Sequence, residues 1–89
     1  ITKKRKRLKE LSDETRTLIF FESPYRVQAT LKEIYSVFGN RKVVIAREIT
    51  KIYEEITRTE LQYFDSIAEL KRPRGEITLI VEGINKRKN

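Results

Sequence analysis

Eighty-nine residues allow one small domain, which by surface-to-volume scaling buries only roughly 60–65% of its extended surface: room for one sheet and two or three helices, hardly for a deep pocket. Hydrophobic residues at 38% and charged residues at 37% suit a folded, highly charged domain, and twenty Lys and Arg against thirteen Asp and Glu leave +7, a balance that attracts anionic partners. The absence of Cys excludes disulfides, thiol nucleophiles and cysteine metal sites, and the absence of His removes any Ser–His dyad, so Ser23 is no hydrolase nucleophile of the usual kind.

In chain order, "KKRKRLKELSD" (residues 3–13) reads as a short helix with Thr2 as its N-cap, resting on the body by Leu8 and Leu11 with its other faces basic. "TLIFF" (17–21) is a continuous apolar run, the pattern of a strand covered on both faces. "PYRVQATLKEIYSVFG" then places Val27, Leu31, Ile34, Tyr35 and Phe38 on one helical stripe, with Ser23 as N-cap, Pro24 at the first helical position and Gly39 ending the helix. "KVVIA" (42–46) is a second buried strand, and strand–helix–strand implies a parallel pair with a right-handed crossover. "YEEITRTEL" suits an edge strand. Thr59 and Gln62 match a capping box for a helix through Leu61, Phe64, Ile67, Ala68 and Leu70, stopped by Pro73. "EITLIV" (76–81) is a third buried strand, followed by a basic tail. The expected architecture is α/β: a small mixed sheet with flanking helices, in the order αβαββαβ, forming a single unit over residues 1–89.

No stretch approaches eighteen consecutive apolar residues and the basic start lacks a signal peptide's apolar run, so the expectation is a cytoplasmic protein without a membrane partner. The chain opens on Ile1 and contains no methionine, which reads as a piece of something longer.

Ligands of open α/β sheets bind beyond the carboxyl ends of the strands. Each apolar strand here ends in an acid: Glu22 after Phe21, Arg47 and Glu48 after Ala46, Glu82 after Val81. Strands must end in something polar, but three acids with Arg26 and Arg47 at hand suggest a polar rim. Arg26 sits in a first helical turn, where the helix dipole prefers acids, so it is a candidate to pair with Glu22 or grip a phosphate. Ser23 is most simply a cap, Arg47–Glu48 an ion pair or a ligand contact, and Thr50 and Lys51 a phosphate contact or a plain loop. Six of the seven residues from Lys3 to Lys9 are basic, Lys71, Arg72 and Arg74 form a second cluster, and Lys86 to Lys88 a third.

The segments "ESPYR" (22–26), "AREITK" (46–51) with "EE" at 54–55, and "GEITLIVEG" (75–83), with the basic opening "KKRKRLKEL", resemble the ribosomal RNA small-subunit methyltransferase I family of the tetrapyrrole (corrin/porphyrin) methylase superfamily, over nearly the whole chain. That family commonly has histidine where this chain has Tyr25, which argues against a catalytic task there. The resemblance implies a two-part α/β enzyme, usually a homodimer, that uses S-adenosylmethionine to methylate the 2′-hydroxyl of a cytidine in small-subunit ribosomal RNA. It implies that this chain is the C-terminal subdomain: the family's cofactor motif, of the form G-T-P-I-G-N, is absent, and the only glycines are Gly39, Gly75 and Gly83.

On that resemblance Glu22 and Glu48 become candidate bases for the ribose hydroxyl, or else scaffolding for Arg26 and Arg47. Ser23, Arg26, Arg47, Thr50 and Lys51 are candidate substrate contacts, and Lys3, Lys4, Arg5, Lys6, Arg7 and Lys9 a salt-dependent grip on RNA phosphates. No metal is expected, and the fragment alone is expected to be inactive. Two alternatives stand beside this reading. One is half of a tetrapyrrole methylase, with Arg26 and Lys51 meeting the macrocycle's carboxylates; the other is a basic RNA-binding module without chemistry.

Overall fold

A computed structural model describes residues 3–67 and 74–85. The elements are α1 (Lys3–Leu11), β1 (Leu18–Glu22), α2 (Val27–Phe38), β2 (Lys42–Thr50), β3 (Tyr53–Glu60), a 3₁₀ turn (Leu61–Tyr63) and β4 (Glu76–Val81). The strands form one sheet in the order β1-β4-β2-β3, and every ladder is antiparallel. The α/β class with flanking helices is as the sequence suggested, but the parallel pair is not. β1 and β2 do run the same way across the α2 crossover, yet β4 lies between them and pairs with both. A strand–helix–strand pattern fixes direction and leaves room for a third strand, supplied here from later in the chain.

α2 covers one face of this sheet. Val27, Leu31 and Ile34 of its stripe are fully buried against Val43, Ile45, Ile77, Leu79 and Val81, with Leu8 of α1 and Leu61 completing the core. By register, Leu18 and Phe20 of β1 join that face, whereas Ile19 and Phe21 alternate onto the other one, 59% and 82% exposed. β1 is therefore an edge strand covered on one face only, contrary to the two-sided burial its unbroken apolar run suggests.

The C-terminal end of α2 is where the sequence put it, but the helix starts three residues later than expected: Arg26, not Ser23, is the N-cap, without a side-chain capping bond, and Pro24 lies ahead of the helix. The Ser23 hydroxyl accepts the Tyr25 N–H (3.1 Å) and the Ser23 carbonyl accepts the Arg26 N–H (3.0 Å), so Ser23 closes a turn over Pro24–Arg26 before regular helix begins at Val27. Gly39, at φ +77°, donates its N–H to the Tyr35 carbonyl and ends the helix, a backbone angle other residues adopt only at a cost.

β2 continues through "REIT" to Thr50, so Arg47 and Glu48 lie within the strand rather than after it. Thr59 belongs to β3 rather than capping a helix, and Leu61–Tyr63 is a single 3₁₀ turn whose Gln62 N–H is taken by Asn40 Oδ1 (2.9 Å). A long-range acceptor has replaced the local capping box. The rest of that expected helix from Ala68, together with Thr2, Lys71, Arg72, Pro73 and Lys86 to Lys88, lies outside the described residues. After β4 the backbone of Gly83 runs so close to Thr15 and Arg16 that a side chain there would collide with their carbonyls, while the Ile84 N–H bonds the Glu14 carbonyl.

Candidate functional site

The end of the sheet where β1 and β2 finish holds most of the candidate residues, and Glu22 is its hub. By register Glu22 shares the α2-covered face with Ile77, Arg47 and Glu55. Its Oε2 accepts the Thr30 hydroxyl (2.5 Å) and meets Lys4 Nζ (3.3 Å), which also donates to Thr30 Oγ1 (2.7 Å). Its Oε1 accepts the Ser23 N–H (2.8 Å) and faces Arg26 Nε (3.4 Å). Burial pushes this carboxyl's pKa up, but the hydrogen bonds from Thr30, Ser23 and Lys4 outweigh that and hold it below the ordinary value. Glu22 thus ties α1, β1 and α2 together as an ionised carboxylate with both oxygens engaged.

Arg26 hangs from this hub with its side chain 74% exposed, the outward-facing member of the pair. An open cleft of about 600 Å³ begins there, lined by Glu22, Ser23, Arg26 and Phe21 on one side and Glu48, Glu76 and Thr78 on the other. The structure thereby brings together Glu22, Ser23, Arg26 and Glu48. It does not bring in Glu82: because β4 is antiparallel to its neighbours, its carboxyl end lies at the opposite end of the sheet, and Glu76 from its start takes the place at the rim. Once β4 is antiparallel, the first residue of "EITLIV" is the one to look at.

On the open face Glu48 is the direct cross-strand partner of both Glu54 and Glu76, a row of three carboxylates on adjacent strands. None has a cationic partner among the described residues. Arg47, one residue away, faces the other way. It is 3% exposed, with Nε 3.4 Å from Glu55 Oε1 and Nη1 donating to the Arg74 carbonyl (2.9 Å), so it braces the covered face from behind the cleft. Thr50 and Lys51 occupy the β2–β3 hairpin turn, where the Thr50 hydroxyl accepts the Ile52 N–H (3.3 Å), and neither lines the cleft.

The basic residues of α1 divide into two sets. Lys4 is held by Glu22, Arg5 donates to the Ser36 hydroxyl (3.0 Å) and Arg7 pairs with Glu10 (3.0 Å). Lys3, Lys6 and Lys9 are exposed, and their ammonium groups engage no partner among the described residues. At three-residue spacing on an α-helix they span about a third of its circumference, a stripe of free positive charge. The sequence flagged all six alike; the separation depends on where acids and hydroxyls of other elements fall. Sequence reasoning took Phe21 as core and put Tyr25 inside the helix without a catalytic task, whereas they are 82% and 80% exposed.

Fold and site define a basic α/β unit with a free lysine stripe and a polar cleft at one end of its sheet. No family model matches the chain. Curated relatives do: ribosomal RNA small subunit methyltransferase I of Thermotoga maritima is 44% identical over 80 residues, that of Bacillus subtilis 38% over 82 and that of Haemophilus influenzae 40% over 86. These alignments cover 90%, 92% and 93% of this chain but 36%, 28% and 30% of the relatives. The chain is homologous to a part of ribosomal RNA small subunit methyltransferase I, and spans about a third of the length of the relatives it matches. Among the described residues no helix is long and apolar enough to cross a membrane.

Proposed function

We propose that this chain is the C-terminal, RNA-facing part of a cytoplasmic ribosomal RNA methyltransferase that uses S-adenosylmethionine to methylate a cytidine 2′-hydroxyl, as a homodimer when complete. What carries this reading is the 38–44% identity to ribosomal RNA small subunit methyltransferases I over nine-tenths of the chain. The free Lys3, Lys6 and Lys9 support an RNA substrate, since exposed, unneutralised lysines exchange counterions for phosphates.

Within the pair of candidate bases, the geometry favours Glu48. Both oxygens of Glu22 are engaged and its pKa is lowered, which suits an anchor for Arg26 and Lys4 better than a proton acceptor. Glu48 stands on the cleft wall with no described partner. Ser23 and Arg26 are the substrate contacts this cleft offers, with Thr50 and Lys51 at a separate hairpin tip and Arg47 behind the wall.

The residues present do not fit the cofactor as a whole. Gly39 ends α2 and Gly83 is wedged against Thr15, so neither of them cradles an adenosyl group, and the cleft is open rather than enclosing. The chain alone is expected to be inactive.

The test is a chimera in which this chain replaces the matching third of the Thermotoga maritima relative. Transfer of a radiolabelled methyl group to small ribosomal subunits, with none from the 89-residue chain alone, is the expected result. Transfer only to a tetrapyrrole, or RNA binding without transfer, would overturn it.

A further inference from the structure

Beside the cleft are two exposed aromatic side chains, Phe21 in its lining and Tyr25 in the turn between the lining residues Ser23 and Arg26, for which neither the fold nor the proposed chemistry has a use. Phe21 projects from the open face of β1 and Tyr25 from the turn before α2, four residues on, 82% and 80% exposed. Neither forms a ring pair with another aromatic among the described residues, where Tyr35 and Phe64 do. Phe21 shares the cleft lining with Arg26 and Tyr25 precedes Arg26 in the chain; Arg26 Nε faces Glu22 while its side chain is 74% exposed. Through the same carboxylate Lys4 draws the first turn of α1, and with it the free Lys3, to this side of the cleft. The opposite wall is acidic, with Glu48 and Glu76, so a polyanion is repelled there. A phosphate track is thereby confined to the α1–Arg26 side, with uncharged groups turned toward the rings.

Exposed aromatic faces beside a basic track are how proteins hold unpaired bases, because every base has a π-face and only single strands leave it free. We infer that Phe21, Tyr25 and Arg26 form a stacking site for the bases of single-stranded RNA, whose phosphates follow Arg26 and the free lysines of α1. The inference rests on the reading that the substrate is RNA, and it names the part of that RNA the cleft lip holds.

The experiment compares two fluorescein-labelled strands on the 89-residue chain by anisotropy: a ten-nucleotide oligoadenosine and an abasic strand of the same length and charge. The oligoadenosine should bind at least about fivefold tighter. Tyr25→Ala and Phe21→Ala should each weaken the oligoadenosine roughly five- to 150-fold and leave the abasic strand unchanged, while Tyr25→Phe retains wild-type binding. A variant that had lost its fold would lose the abasic strand as well, so the abasic arm separates misfolding from lost stacking. Replacing Lys3, Lys6 and Lys9 by glutamine should instead weaken both strands alike and reduce the log–log salt slope by about 2. If the lysine effect appears but the ratio between strands is unchanged in both alanine variants, the stacking site is overturned and the RNA reading stands. If neither strand binds, both fall.

Discussion

The two faces of the sheet carry similar side chains and meet opposite surroundings. On one, Val43, Ile45, Ile77, Leu79 and Val81 are at most 3% exposed beneath α2. On the other, Ile19, Phe21 and Ile56 are more than half exposed, with Thr78 and Ala46 between Phe21 and Ile56 in one cross-strand row and Ile80 and Val44 between Ile19 and Arg58 in the next. Charge divides the same way. On the covered face Arg47 is matched by Glu55, whereas the three carboxylates in the corresponding row of the open face have no cationic partner among the described residues. The covered face is built for stability; the open face and its rim keep unspent apolar area and unneutralised charge, the two things a binding surface needs.

The sharpest way to break this contrast is to truncate one side chain on each face. Leu79→Ala should cost about 2–5 kcal/mol, a large share of the roughly 4–13 kcal/mol expected of a chain this size, and Ile56→Ala less than about 1 kcal/mol. Urea midpoints decide it; equal costs would mean that the open face is packed after all.

A smaller effect sits at the boundary between the faces, where Glu22 joins α1 to the sheet. Glu22→Gln should lower stability near neutral pH by about 1–2 kcal/mol, since charge-assisted bonds to Thr30, Ser23 and Lys4 are weakened. Because the folded-state pKa of Glu22 lies below its ordinary 4.5, its contribution is fully present above that value and is lost as pH falls through the lower, folded value. Stability measured from pH 7 downward should therefore fall more for the wild type than for the variant, and the two curves should converge in acid. Parallel curves would remove Glu22 from the hub.

The smallest effect is of opposite sign. Glu48→Gln relieves two direct cross-strand repulsions, with Glu54 and Glu76, and should stabilise the chain by roughly 0.2–1 kcal/mol. Thermal melts in low and high salt test it, because the gain should shrink as added salt screens the wild-type row. A destabilised variant would indicate an attractive partner for Glu48.

Much of this was legible in the residues. The stripe of α2 and its end at Gly39 are local matters, decided within one or two turns by periodicity and backbone angles, and they appear almost as written, whereas Ser23 closes a turn ahead of the helix instead of capping it. The gathering of Glu22, Ser23, Arg26 and Glu48 at one end of the sheet also follows from strand direction alone. What failed were inferences needing a neighbour. "TLIFF" shows no alternation because Ile19 and Phe21 remain apolar on an open face, so the sequence cannot distinguish a strand covered twice from one covered once. The capping box of Thr59 and Gln62 was outcompeted by Asn40, twenty-two residues away from Gln62.

By itself, then, the sequence determined the four strands, the first two helices and their order, the basic character of α1 and the kinship with ribosomal RNA methyltransferases, all of which reside in local pattern or residue identity. Tertiary structure alone decided that β4 enters between β1 and β2, and three consequences came with it. Glu82 was sent to the far end of the sheet, Glu76 was brought to the cleft, and Glu48 was set between two other carboxylates. Strand order is a choice among pairings whose local signals are alike, settled by which arrangement buries Ile77, Leu79 and Val81 beneath α2, and no window of sequence contains that comparison.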